Sequence, residues 1–339
     1  MSSRHAGAME RLLRPEEAPV RPPKTHSLQE DNLPMSERIK LEGIYTPLIT
    51  PFLGDGSVAY EVLAQLIERL IGAGVHGLIS GGSTGENYAE TVEERLEIAR
   101  FIVERVKGRL PVFVGTGAMR TPDSVALAAG ARAMGADGLL LGTPPYSVPT
   151  ERENAINALT IDRAANLPII LYNYPGRMGV EMGREFLDHA GQSRNVIGIK
   201  ESSGDINRLH LLARDYPHIQ LSCGMDDQAL EFFAWGARNW ICAGSNFLPE
   251  EHVLLYKTCV LDGDFTKGRR IMSAMLPLMR VLEQGGKFIQ CVKHGVETTG
   301  LCAGPVRPPL QELEEDEKLA LQQVIRTLKS DIAAIRGGN

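Results

Sequence analysis

From Gly43 to Ala243 the chain repeats one unit, a short apolar run followed by an amphipathic segment. The apolar runs are Ile44–Thr50, Leu78–Ser80, Pro111–Val114, Gly138–Leu141, Ile169–Asn173, Val196–Lys200, Ile219–Ser222 and Trp240–Ala243. Helical patterns fall between them, over Tyr60–Gly74, Thr91–Val106, Asp123–Met134, Glu151–Ala165, Arg184–Ala190, Ile206–Asp215 and Gln228–Trp235. In the first of these, Leu63, Leu66, Ile67, Leu70 and Ile71 share one face. Short apolar runs bounded by turns suit strands covered on both faces, as in a parallel sheet. A doubly wound open sheet would alternate similarly, but its first βα turn would carry a G-x-G-x-x-G that is absent here. Eight regular units favour closure. The expected fold is therefore α/β, a (β/α)8 TIM barrel over residues 41–248. Past Pro249 the strand signals stop, and Glu250–Leu261, Phe265–Gln284 and Glu315–Ile335 predict a C-terminal helical region over residues 249–339.

Residues 1–40 are built differently. Pro15, Pro19, Pro22, Pro23 and Pro34 stand among charges with few large apolar residues, which predicts a flexible extension. The segment lacks the apolar stretch of a secretory signal. The net charge of −6, without a long basic run, argues against a nucleic-acid partner. No apolar run nears the ~18 residues that crossing a bilayer requires, so no membrane partner is expected. The five cysteines are odd in number and never form a C-x-x-C pair, which fits a reduced cytoplasm better than a disulfide framework or a zinc site.

In barrels of this kind the chemistry stands at the C-terminal ends of the strands. Here those ends hold Thr46, Thr50, the loop Gly82-Ser83-Thr84-Gly85-Glu86, Gly115-Thr116-Gly117, Thr143–Tyr146, Tyr172–Arg177, Lys200, Gly224 and Ala243–Asn246. They are rich in hydroxyls, glycines and phenols and almost free of histidine. A metal would need a His/Asp/Glu cluster there, so no metal and no cofactor is expected. His76 precedes its strand and belongs to the opposite face, where its role is structural. The stretch Val196-Ile197-Gly198-Ile199-Lys200-Glu201 ends a buried strand on a lysine. An apolar wall favours the neutral amine, the form that attacks a ketone to give a Schiff base. The competing reading is a strand-end lysine whose ammonium reaches solvent.

Three segments occur in order after different strands: Gly82-Ser83-Thr84-Gly85-Glu86, Tyr172-Asn173-Tyr174-Pro175-Gly176-Arg177 and Gly198-Ile199-Lys200-Glu201. Together they resemble the dihydrodipicolinate synthase / N-acetylneuraminate lyase family of pyruvate-dependent class I aldolases, from about Gly43 to Gly300. The resemblance implies that Lys200 forms the imine with a 2-oxo acid and that Tyr172 moves protons beside it. Ser83 and Thr84 match the hydroxyl pair that binds the keto acid's carboxylate and relays protons to the tyrosine. Tyr146 matches a tyrosine inserted into a neighbouring subunit's site, which implies a homodimer or homotetramer. Gly224 and Ile241 match residues shaping the pyruvate pocket. Tyr88, Tyr174 and Glu86 read as structural.

Arg177 resembles the arginine that holds the carboxylate of aspartate semialdehyde in the synthases and is generally lacking in sialic acid lyases; a guanidinium suits that task. The chain departs from biosynthetic synthases at Gln284–Cys291, which lacks their proline-rich Asn-Pro segment. It places Val92, Met119 and Pro145 where lysine-inhibited members carry His, Asn and a second Tyr, so lysine feedback is not expected. The implied function is a Schiff-base lyase acting on pyruvate or pyruvate-derived 2-oxo acids with an aldehyde partner. 4-Hydroxy-tetrahydrodipicolinate synthase leads as a single activity. A 2-keto-3-deoxy sugar acid aldolase or dehydratase stands second, and a keto-acid-binding barrel without turnover is the distant third.

Overall fold

The computed structural model describes residues 39–337 of the 339-residue chain. The flexible extension expected over residues 1–40 lies outside the described residues, apart from its last two. The order begins β1 (Gly43–Pro47), α1 (Tyr60–Ala73), β2 (Gly77–Ser80), α2 (Val92–Val106), β3 (Val112–Gly115), α3 (Thr121–Ala133), β4 (Gly138–Gly142) and α4 (Glu151–Ala165). It continues through β5 (Ile169–Asn173), the single turn α5 (Pro175–Met178), α6 (Arg184–Ala190), β6 (Val196–Glu201), α7 (Ile206–Asp215), β7 (Gln220–Cys223), α8 (Ala229–Ala234) and β8 (Asn239–Ile241). Four helices follow: α9 (Pro249–Tyr256), α10 (Phe265–Gln284), α11 (Phe288–Glu297) and α12 (Glu315–Arg336).

Each strand pairs in parallel with the next, and β8 returns to β1 through Gly43↔Asn239 and Ile44↔Trp240, so the eight strands close into the expected barrel. Inside it, Tyr45, Ile79, Phe113, Leu140, Ile170, Ile197 and Ile241 fill the lumen. Outside, alternate residues such as Leu139, Leu141, Leu171 and Ile199 pack against the helices. Each such fully buried aliphatic side chain contributes about 1.5–3 kcal/mol. Leu41 plugs the bottom; its N–H donates to Gln220 Oε1 at 2.8 Å. His76 is indeed on that lower face, where its Nδ1 accepts from Ile44 N at 3.2 Å.

Local sequence fixes where the helices begin. Thr91 caps α2 reciprocally with Glu94, and Thr150 caps α4 with Glu153, each satisfying two end N–H groups. Pro122 sits in the first turn of α3, where its missing N–H is harmless. Two strand ends fall earlier than expected. β1 stops at Pro47 rather than Thr50, because the Ile49 N–H turns to Asn246 Oδ1 (3.2 Å) instead of a neighbouring strand. β8 stops at Ile241, and Ala243–Asn246 coils into a 3-10 turn. Helix α11 was not anticipated from the sequence. No helix among the described residues is long and apolar enough to cross a membrane.

Candidate active site

Lys200 and Tyr172 are register partners across β6 and β5. Both are 7% exposed, and Lys200 Nζ lies 4.4 Å from the centroid of the Tyr172 ring. Among the described residues no carboxylate lies within ion-pair distance of that amine. The neighbouring Glu201 is 1% exposed and fully engaged. It accepts from Asn173 Nδ2 (3.0 and 2.9 Å), from Ser203 N (2.7 Å) and from Arg208 Nε (3.2 Å). Asn173 follows Tyr172 and Glu201 follows Lys200, so this buried knot fixes the two strand ends relative to each other. Removing one partner of such a knot would leave an uncompensated buried charge.

A single pocket gathers the groups picked out from sequence. Ser83, Thr84, Tyr172, Arg177, Lys200, Gly224 and Ile241 all line it, together with Pro47, Tyr174, Asp226, Ala243, Glu283 and Phe288. Its empty space is about 360 Å³, part of it open to solvent. Gly224 is required here by packing: a Cβ would fall 2.6 Å from Lys200 Cγ, 2.8 Å from Lys200 Cε and 2.2 Å from Ser202 Oγ. Arg177, on α5, stands at the rim, its guanidinium carbon 5.2 Å from the Tyr174 ring centroid and 5.7 Å from that of Phe288. Tyr146 is not brought to this pocket. It is 88% exposed on the loop after β4, with a left-handed φ of 71°.

The Ser83–Thr84 loop is held from below. It forms a 3-10 turn closed by Glu86 in the left-handed region (φ 60°), with Thr50 Oγ1 donating to Gly85 O at 2.9 Å. Glu86 has no solvent exposure, and Lys293 Nζ from α11 reaches its Oε1 at 2.6 Å. The same ammonium donates to Pro305 O (2.6 Å) and lies 4.2 Å from the Phe52 ring centroid. Burial holds Lys293 below the ordinary lysine range, and Glu86 opposes that shift. The Arg307 N–H gives Glu86 Oε2 a further bond at 2.8 Å. Arg95 straps the β2 and β3 loops together by donating to Gly81 O (3.5 Å) after β2 and to Gly115 O (2.8 Å) and Gly117 O (2.9 Å) at the end of β3.

Sequence reading missed two acids, Asp226 and Glu283, and two aromatics, Tyr174 and Phe288, in the pocket wall. Asp226 is buried, accepting from Trp240 Nε1 at 2.8 Å. Burial first, and then the Glu283 charge, push Asp226 up to about 8. Burial also raises Glu283, with Asp227 adding to it while Lys200 and Arg177 oppose it. Tyr174, read as structural, forms part of the wall, its ring 6.1 Å from that of Tyr172. Asp226 could have been suspected from its place just beyond a strand end. Glu283 gave no local signal, because it arrives from the last turn of α10, outside the barrel repeat. No group of three or more His, Cys, Asp or Glu side chains among the described residues is arranged to hold a metal.

A buried amine against a phenol, facing hydroxyls at the top of a closed barrel, is an arrangement suited to imine chemistry. The dihydrodipicolinate synthetase family matches residues 40–328. The 4-hydroxy-tetrahydrodipicolinate synthase of Methanoculleus marisnigri is 35% identical over 288 residues, covering 84% of this chain and 98% of that protein. The enzyme of the same name from Bartonella bacilliformis is 36% identical, with coverage of 82% and 95%. Among solved structures, dihydrodipicolinate synthase of Aquifex aeolicus superposes with a TM-score of 0.80 at 32% identity, over 85% of this chain and 98% of the other. A prophage protein of that synthase family from E. coli K12, solved in complex with pyruvate, gives 0.80 at 31% identity over 86% and 99%. Since the match spans nearly the whole described barrel and the helices after it, the chain belongs to the dihydrodipicolinate synthetase family of class I aldolases and lyases.

Proposed function

We propose that this lyase works through a Schiff base at Lys200, formed with pyruvate or a pyruvate-derived 2-oxo acid. The observation that carries the reading is the buried Lys200 amine stacked on Tyr172 in a pocket that also holds Ser83 and Thr84. The amine adds to the ketone carbon and water leaves, giving a protonated imine. That cation draws electrons from the adjacent carbon, which gives up a proton and becomes an enamine. Tyr172 is the group placed to move the proton. The enamine carbon bonds to an aldehyde carbon, whose oxygen takes up a proton. Water then adds to the imine, freeing Lys200 and the product. Ser83 and Thr84 hold the keto acid's carboxylate, and Gly224 and Ile241 shape the space around it.

For the second substrate the leading assignment is L-aspartate 4-semialdehyde, making the activity that of 4-hydroxy-tetrahydrodipicolinate synthase. Its support is the shared name of the curated relatives and the position of Arg177 at the rim. A 2-keto-3-deoxy sugar acid aldolase or dehydratase would use the same lysine, tyrosine and hydroxyl loop. The missing Asn-Pro segment over Gln284–Cys291 favours that second reading. Tyr146 is assigned to a neighbouring copy's pocket in a homodimer or homotetramer, for which its 88% exposure is the support. The free state of all five cysteines suits the cytoplasm.

Incubation with pyruvate and borohydride, followed by intact-mass measurement and peptide mapping, tests the reading. A reduced adduct confined to Lys200 is expected. Folded protein that traps neither pyruvate nor larger 2-keto-3-deoxy acids would overturn it in favour of a barrel that binds without turnover.

A further inference from the structure

Glu283 is the pocket acid whose task the proposed chemistry leaves open. It lies in the last turn of α10 and faces charged groups from three other elements: Lys200 on β6, Arg177 on α5, and Asp226 with Asp227 after β7. No side chain among the described residues ion-pairs with it within the 4.0 Å that defines such a pair. A carboxylate serving only as the counter-ion of Lys200 would sit at that distance, and this one does not. Instead it shares a pocket with a rim guanidinium, the carboxyl group and the guanidinium lying around the same open space.

Two opposite charges across a small pocket match a zwitterion. We propose that Glu283 selects the second substrate by taking the ammonium group of an α-amino aldehyde while Arg177 takes its carboxylate. The inference rests on the Lys200 imine reading and deepens it. Charge accounting supports the order of events. Once Lys200 is consumed in the enamine its nitrogen is neutral, so the pocket has lost a positive charge facing Glu283. An incoming ammonium replaces it. The deeper Asp226, bonded to Trp240 and more fully buried, is pushed up to about 8 by burial first and then by the Glu283 charge. A sugar-derived aldehyde, neutral and hydroxylated, would use neither charge in this way.

The test compares wild type, E283Q and R177Q with pyruvate and three aldehydes: L-aspartate 4-semialdehyde, succinic semialdehyde and D-glyceraldehyde. Succinic semialdehyde keeps the carboxylate and lacks the ammonium. E283Q is expected to lower kcat/KM for aspartate semialdehyde about 10- to 100-fold, the range of a charge-assisted hydrogen bond, and to leave succinic semialdehyde within about twofold. R177Q should lower both. Equal losses on both semialdehydes in E283Q, no loss on either, a loss confined to glyceraldehyde, or no turnover of either semialdehyde by wild type would each overturn the proposal. Borohydride trapping of pyruvate separates the two levels. An unchanged Lys200 adduct in E283Q shows a folded, competent variant, whereas a wild type without the adduct fails the underlying reading itself.

Discussion

The Tyr172 ring and the Lys200 amine face each other across adjacent strands, 4.4 Å from nitrogen to ring centroid, as direct register partners. Their spacing is set by the sheet and by the buried Asn173–Glu201–Arg208 knot one residue further on.

Separate losses are therefore expected from the two residues. Lys200→Ala should abolish turnover and the borohydride adduct. Tyr172→Phe keeps the ring under the amine and removes only the hydroxyl. It should still trap pyruvate but lose about 10²- to 10⁴-fold in kcat, the usual contribution of a proton-transfer group. Steady-state kinetics beside adduct mass would show whether the hydroxyl acts; an unchanged kcat would remove Tyr172 from the chemistry.

Gly224→Ala should displace the Lys200 side chain rather than the fold. The added methyl would need space now held by Lys200 Cγ and Cε. A fall in kcat/KM of about 10²-fold or more is expected from such misplacement, with a cooperative melt retained. Wild-type kinetics in the variant would mean that the β7 loop yields freely.

Lys293→Met leaves Glu86 buried without its cation. Removing one partner of a buried pair costs about 3–5 kcal/mol, and urea unfolding should show a loss of unfolding free energy of that order. The double variant Lys293→Met with Glu86→Gln should recover part of the loss. Because Glu86 closes the Ser83–Thr84 turn, kcat/KM should fall in the single variant even where the protein remains folded. A shift below about 1 kcal/mol would indicate that Glu86 finds water or another partner.

Asp226 makes stability depend on pH in a defined direction. Its folded pKa, about 8, lies above the unfolded value of 3.8, so the folded chain holds the extra proton between them. Its contribution is fully present below about pH 4 and is lost as pH rises toward 8, at no more than about 1.4 kcal/mol per unit. Asp226→Asn preserves an acceptor for Trp240 and removes that slope. It should melt at a higher temperature than wild type at pH 8, with the gap closing toward pH 5. Parallel melting curves across this range would refute the assignment.

The barrel was legible because each strand–helix unit carries its own periodicity, and the Lys200 strand announced itself by ending four apolar residues on a charge. Residues read from strand ends met in one pocket for the same reason, since closure of the sheet makes strand ends neighbours. Glu283, Phe288 and Lys293 were not legible, because they come from the appended helices, whose docking no local pattern encodes. The Gln284–Cys291 stretch was read for what it lacked, while its structural content is the start of α11. Strand parity also misleads within β6. Counting back from Lys200 by twos would send Ile197 outward, yet the register shift beside Ile169 skips this residue, and Ile197 faces the lumen.

The loop after β4 carries one further consequence. Tyr146 and Val148 both hold left-handed backbone, at φ 71° and 47°, while most of each side chain lies in solvent. Such conformations cost roughly 1–2 kcal/mol each in residues bearing a Cβ. Glycine at either position would relieve that strain at once. A programme of thermostabilisation ranking sites by backbone relief would therefore choose Tyr146 early, and would raise the melting point by erasing the phenol proposed above to enter a neighbouring copy's pocket.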